Sequence, residues 1–155
     1  MPSNEKREFV EQFGLFFERA GGTRTAGRMF GWLLICDPPH QSISELTDAL
    51  QVSKGSVSTV ARGMEEAGFL ERVPQPGSRQ HYYRIKAEGW TAIVRARMGF
   101  LSAGSDLARR GLEVVGPDSR RQQRLRDWGG FLDFMAEEIN EITHRWERHQ
   151  RGEDS

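Results

Sequence analysis

The chain has 155 residues, with 22 Lys+Arg, 22 Asp+Glu and 4 histidines, so its formal net charge is zero. Charged residues make up 28% and the apolar set 37%, which excludes a disordered chain and a bulk polycation that holds nucleic acid by charge alone. One cysteine, Cys36, excludes an intramolecular disulfide framework. The apolar run near Trp32 to Cys36 is too short to cross a bilayer, and MPSNEKREF has no signal-peptide core, so a cytoplasmic protein with no membrane partner is expected.

Ser3 or Asn4 caps a first helix that reaches about Ala20. Its apolar residues Phe9, Val10, Phe13, Phe16, Phe17 and Ala20 form a broad helical stripe, and Gly21-Gly22 stops it. A second helix runs from about Thr23 to Cys36. Its Gly27 and Gly31 mark a place where a neighbouring backbone approaches closely, and Asp37-Pro38-Pro39 ends it. Ser42-Ile43-Ser44-Glu45 is a capping box opening a short helix with Leu46, Ala49 and Leu50 on one face. Gln51-Val52 makes a tight turn. Ser53 caps a fourth helix whose inner face is Val57, Val60, Ala61, Met64 and Ala67, and Gly68 closes it.

Residues 69–73 and 81–85 read as two short strands joined by the loop 74–80. A fifth helix runs from about Ala87 into the region of Gly111. It carries Gly89, Gly99, Gly104 and Gly111, and each interior glycine costs roughly 1 kcal/mol against alanine. Their number implies close packing, a kink or room for a bound molecule. Gly116-Pro117-Asp118 breaks the chain before a last helix from about Ser119 to His149. On it Leu125, Trp128, Leu132, Met135, Ile139, Ile142 and Trp146 recur as a coiled-coil seam, either a dimer interface or packing against the first helix.

Charge by segment is informative where the total is not. Residues 1–51 and 129–155 are net acidic, while 52–86 and 87–128 are each net basic by 3. A basic middle is either a nucleic-acid face or a solvated surface. The element order over 42–86 favours the first, because helix, short turn, helix, strand, basic loop, strand is the order of a winged helix-turn-helix. The expected fold is mainly α. Its expected parts are N-terminal helices at 1–36, a DNA-binding lobe at 37–86 and long helices at 87–155, with the flanking helices forming a dimerisation region.

The Ser42 helix points N-terminal amides at a phosphate. The Ser53 helix offers Lys54, Ser56, Ser58, Thr59 and Arg62 away from its apolar stripe. Small hydroxyl residues let a helix enter the major groove deeply, and Gly55 removes bulk at the point of entry. The loop presents Arg79 and Gln80, with the arginine suited to a narrow minor groove. Arg72 and Arg84 either touch phosphate or pair with Glu65, Glu66 or Glu71.

The stretches TAGRMFGWLLICDPP, SISELTDALQVSKGSVSTVARGMEEAGFLERV and PGSRQHYYRI resemble the MarR family of bacterial regulators, and within it the GbsR-type branch. The likeness covers about residues 20–90. It implies a homodimeric, ligand-responsive transcription factor on a (pseudo)palindromic operator, with the recognition helix at 53–67 and the wing at 73–82. Many relatives carry an acidic residue just before the wing arginine, whereas Gly77-Ser78 stand there in this chain.

Trp32, Trp90, Phe100, Trp128 and Phe131 form either an apolar effector pocket between lobes or ordinary core. The GbsR-type likeness implies choline-like cations as one candidate effector, since aromatic faces attract quaternary ammonium. Cys36 reads as a small buried hydrophobe rather than a redox switch. The four histidines do not make a metal set, no cofactor is implied, and no catalytic triad or phosphate loop argues for an enzyme. The competing reading is a protein-interaction winged helix that does not bind DNA.

Overall fold

A computed structural model describes residues 3–153 apart from Glu88 and Asp118, and excludes the side chains at 90, 92, 93, 96, 97 and 119. The elements are α1 (Asn4–Arg19), α2 (Arg24–Ile35), β1 (Gln41–Ser42), α3 (Ile43–Leu50), α4 (Lys54–Glu66), β2 (Leu70–Val73), β3 (Tyr82–Ile85), α5 (Gly89–Val115) and α6 (Ser119–Gln150). Helices dominate, as expected, and the sheet has the order β1-β3-β2 with both pairs antiparallel.

Each early helix begins where a side-chain oxygen takes over an orphan amide. Ser3 accepts from Lys6 N, Thr23 from Ala26 N and Ser53 from Ser56 N. The capping box is complete. Glu45 N donates to Ser42 Oγ at 3.2 Å, and Ser42 N donates to Glu45 Oε2 at 2.7 Å. Ser42→Ala is expected to cost about 1 kcal/mol. The cost would be read as a lower denaturation midpoint at constant m-value; an unchanged midpoint would contradict this role for the cap.

The chain divides into two units, residues 1–90 and 91–155. In the first, α1 and α2 pack together with the winged helix-turn-helix. The core draws Met29, Phe30 and Leu33 from α2, Leu46 and Leu50 from α3, and Val57, Ala61 and Met64 from α4. Phe13, Phe17 and Phe69 surround Phe30 with ring centroids 5.6–6.0 Å away. The α1–α2 crossing is close because Gly27 and Gly31 leave room: a Cβ on Gly31 would stand 2.7 Å from Phe13 Cβ.

In the second unit, α5 and α6 are antiparallel partners. A Cβ on Gly104 would meet Leu132 Cδ1 at 2.6 Å, and one on Gly111 would meet Leu125 Cδ2 at 2.8 Å. These two α5 glycines are therefore sites of close packing, and α5 runs through Gly111 to Val115. The seam on α6 is spent unevenly. Leu125 and Leu132 pack on α5, whereas Ile142 and Trp146 are exposed. Among the described residues no helix is long and apolar enough to cross a membrane.

Candidate nucleic-acid interface

The helix read as the DNA reader is held from beneath. Val57, Ala61 and Met64 are buried, and their spacing leaves the opposite face of α4 to solvent. Ser53, Lys54, Gly55, Thr59, Arg62 and Gly63 are exposed there, while Ser56 and Ser58 are half-buried at its margin. The turn into α4 is fixed by Gln51, which adopts the left-handed conformation at φ 52°. Arg28 fixes it as well, its Nη2 donating to Leu50 O at 2.6 Å. Ser42 stands apart from this face. It is buried, its backbone N–H and hydroxyl both donate to the Glu45 carboxylate, and it pairs with Tyr82 across the sheet.

Two glycines on the α4 face have no packing reason. A Cβ on Gly55 or on Gly63 would meet nothing within 4 Å. Inside a helix such a residue forfeits stability without relieving any crowding in the chain. Close approach of an outside surface would account for it. Gly63→Ala is therefore expected to stabilise the fold by up to about 1 kcal/mol and to weaken DNA binding. Denaturation and anisotropy on the same variant check this pair of opposite signs, and unchanged DNA affinity would contradict it. Gly63 was not picked out in the sequence; its spacing of four from Thr59 and eight from Gly55 was the available signal.

The wing is ordered locally. Ser78 N donates to Gln75 O at 3.1 Å with Gly77 at φ +78°, so Pro76-Gly77 occupy the centre of a type II turn. Gln80 N then donates to Ser78 Oγ at 3.1 Å. Gly77-Ser78 thus shape the tip by a turn, and Arg79 and Gln80 stand exposed on it. At the wing's base, Gln75 Nε2 lies 2.6 Å from His40 Nε2.

The strand arginines pair with carboxylates. Arg72 reaches Glu65 of α4 at 2.8 Å and Arg84 reaches Glu71 at 2.6 Å. The Arg72 bridge ties β2 to α4, and Tyr83 and then Glu65 raise the affinity of its guanidinium for its proton. Cys36 caps α2, with its thiol 3.7 Å from Leu33 O. Burial pushes that thiol's pKa up, which suits a packing residue and lowers its thiolate fraction.

Of the aromatic set, Trp32 is half-buried in the first unit and donates its indole N–H to Gln41 Oε1 at 3.4 Å. Phe100, Trp128 and Phe131 are exposed in the second unit, and the Trp90 side chain lies outside the described residues. Among the described residues no group of three or more His, Cys, Asp or Glu is placed to hold a metal ion.

Residues 21–81 match the family model described as MarR family, and residues 88–149 match that of the MmpR5-like MarR family transcriptional regulators. The chain is 40% identical over 148 residues to the HTH-type transcriptional regulator MmpR5 of Mycobacterium tuberculosis, covering 95% of this chain and 89% of that protein. It is 24% identical to the HTH-type transcriptional repressor OpcR of Bacillus subtilis, covering 84% of this chain and 80% of that one. A crystal structure of a transcriptional regulator superposes with a TM-score of 0.79 at 39% identity, covering 93% of this chain and 99% of the other. With a winged helix-turn-helix whose outer face is basic and hydroxyl-rich, this chain belongs to the MarR family, and it is a DNA-binding transcriptional regulator rather than an enzyme.

Proposed function

We propose that the chain binds a (pseudo)palindromic operator as a homodimer and represses transcription there. In this reading α4 lies in the major groove and Arg79 of the wing enters the flanking minor groove. The observation that carries the reading is the exposed α4 ridge of Gly55, Thr59, Arg62 and Gly63, which combines small residues, a hydroxyl and a cation on a rigidly packed helix.

The homodimer is supported by apolar surface with no cover in a single chain. Phe131, Phe134 and Ile142 on α6 are each more than half exposed, as are Phe100 and Leu107 on α5. So much exposed apolar surface marks an interface between proteins. A two-fold dimer sets the two recognition helices one DNA turn apart, about 34 Å. An effector that favours another spacing releases the operator by population shift. The GbsR-type branch is a finer reading, supported by the Pro76-Gly77-Ser78-Arg79 run of the wing.

Hydroxyl-radical footprinting on the DNA upstream of the chain's own gene tests the dimer and its geometry. Two protected segments centred about one helical turn apart are expected. A single protected half-site at saturating protein would overturn the two-fold arrangement.

A further inference from the structure

One side chain on β2 joins α4 to the far strand of the wing. Arg72 reaches the Glu65 carboxylate of α4 at 2.8 Å. Its guanidinium carbon also lies 5.7 Å from the ring centre of Tyr83, its cross-strand partner on β3. Tyr83 is buried and pairs in turn with Gln41 of β1. Alternation along β2 sends the neighbouring Glu71 to the other face, where it holds Arg84 of β3 at 2.6 Å. The two wing strands are thus fastened to each other on one face and to α4 on the opposite one.

Stability does not account for the Arg72 contacts. The side chains of Arg72 and Glu65 are 40% and 30% exposed, and an ion pair in that setting adds little to the fold. What it restrains is direction. A two-stranded hairpin is marginal on its own. The tip with Arg79 and Gln80 lies beyond the last strand pair, Val73 with Tyr82, so a small rotation at the base is magnified there.

We propose that Arg72 is a positioning residue for DNA binding: clasped between Glu65 and Tyr83, it fixes the angle between α4 and the wing so that both engage one duplex. The inference rests on the reading above that the wing enters the minor groove. It gives Glu65 an effect opposite to that of its charge. Removing a carboxylate from a DNA-binding helix lessens repulsion of phosphates, so charge alone makes Glu65→Gln bind more tightly. Loss of the clasp makes it bind more weakly.

The test uses the full-length chain labelled with 15N. Residual dipolar couplings of the free protein report how the amides of β2 and β3 are oriented against those of α4. One alignment frame is expected to fit both in wild type, and the wing couplings are expected to leave that frame in Glu65→Gln. In anisotropy on the duplex from upstream of its own gene, Glu65→Gln is expected to bind about fivefold more weakly, within the range of interaction energies between contacting residues. Thermal unfolding should barely move. The loss should vanish when Arg79→Ala is already present, because the wing then has no arginine to place. Arg72→Gln is expected to reproduce the loss at an unchanged salt slope, which loss of a phosphate contact would lower by about one unit. Unmoved wing couplings, binding by Glu65→Gln as tight as wild type, a full loss on top of Arg79→Ala, or a flatter slope for Arg72→Gln would each overturn the positioning role. Wild-type affinity in Arg79→Ala alone would instead overturn the minor-groove reading, an outcome told apart because Glu65 and Arg72 are intact in that variant.

Discussion

Arg62→Ala is expected to weaken DNA binding by about 1–3 kcal/mol, or roughly 5- to 150-fold, and Lys54→Glu combined with Arg62→Glu to remove the complex at moderate salt. Both side chains are exposed on α4, and the turn of helix beneath them is anchored by Val57, Ala61 and Met64. Nothing in the core depends on either charge. Surface changes of this kind usually move stability by no more than about 0.5 kcal/mol. The loss should therefore appear in anisotropy titrations while thermal unfolding stays where it was. A double variant that still binds at wild-type strength would show that α4 is not the reader.

Gly27→Val is the largest expected effect on the fold. A Cβ there would stand 2.6 Å from Phe17 Cβ, 2.7 Å from Phe13 O and 2.9 Å from Gly14 Cα. Two of these three neighbours are backbone, so relief requires α1 to move as a whole. Overpacking of this kind costs about 1–3 kcal/mol and sometimes more. In a chain of this length each kcal/mol lowers Tm by roughly 2–4 °C. DNA binding should fall with the fold, because α2 also supplies Met29, Phe30 and Leu33 to the core on which α4 rests. Gly55→Val is the control, since its Cβ would meet nothing within 4 Å. Equal losses of Tm in the two variants would contradict close packing at Gly27 as the cause.

The contrast between these two glycines shows what could be read from the sequence and what could not. Helix starts were legible because capping is local: Ser3, Thr23, Ser42 and Ser53 each sit three residues from the amide they accept. The wing strands were legible as two short runs on either side of the Pro-Gly loop. β1 was not, because a two-residue strand has no periodicity and exists only through its pairing with Tyr82 and Tyr83. Gly111 read as near the end of α5, yet it is interior, and its role depends on Leu125 across the hairpin. The role of Arg28 was hidden for the same reason: its acceptor, Leu50 O, lies 22 residues away. For the candidate interface, residue types and spacing pointed to the α4 face and the wing tip, both of which the structure leaves exposed. Burial then separated Ser42, which serves the fold, from Thr59 and Arg62, which face solvent.

The most direct test of the central claim is the salt dependence of anisotropy on a duplex from the chain's own upstream region. Wild type and the variants Lys54→Glu, Arg62→Ala and Arg79→Ala would be titrated side by side. If α4 and the wing hold DNA, wild-type affinity falls steeply as salt rises. Each variant then binds more weakly, and loss of a phosphate contact flattens the slope by about one unit. Affinity and slope unchanged in all three variants would contradict the assignment of DNA binding to this surface.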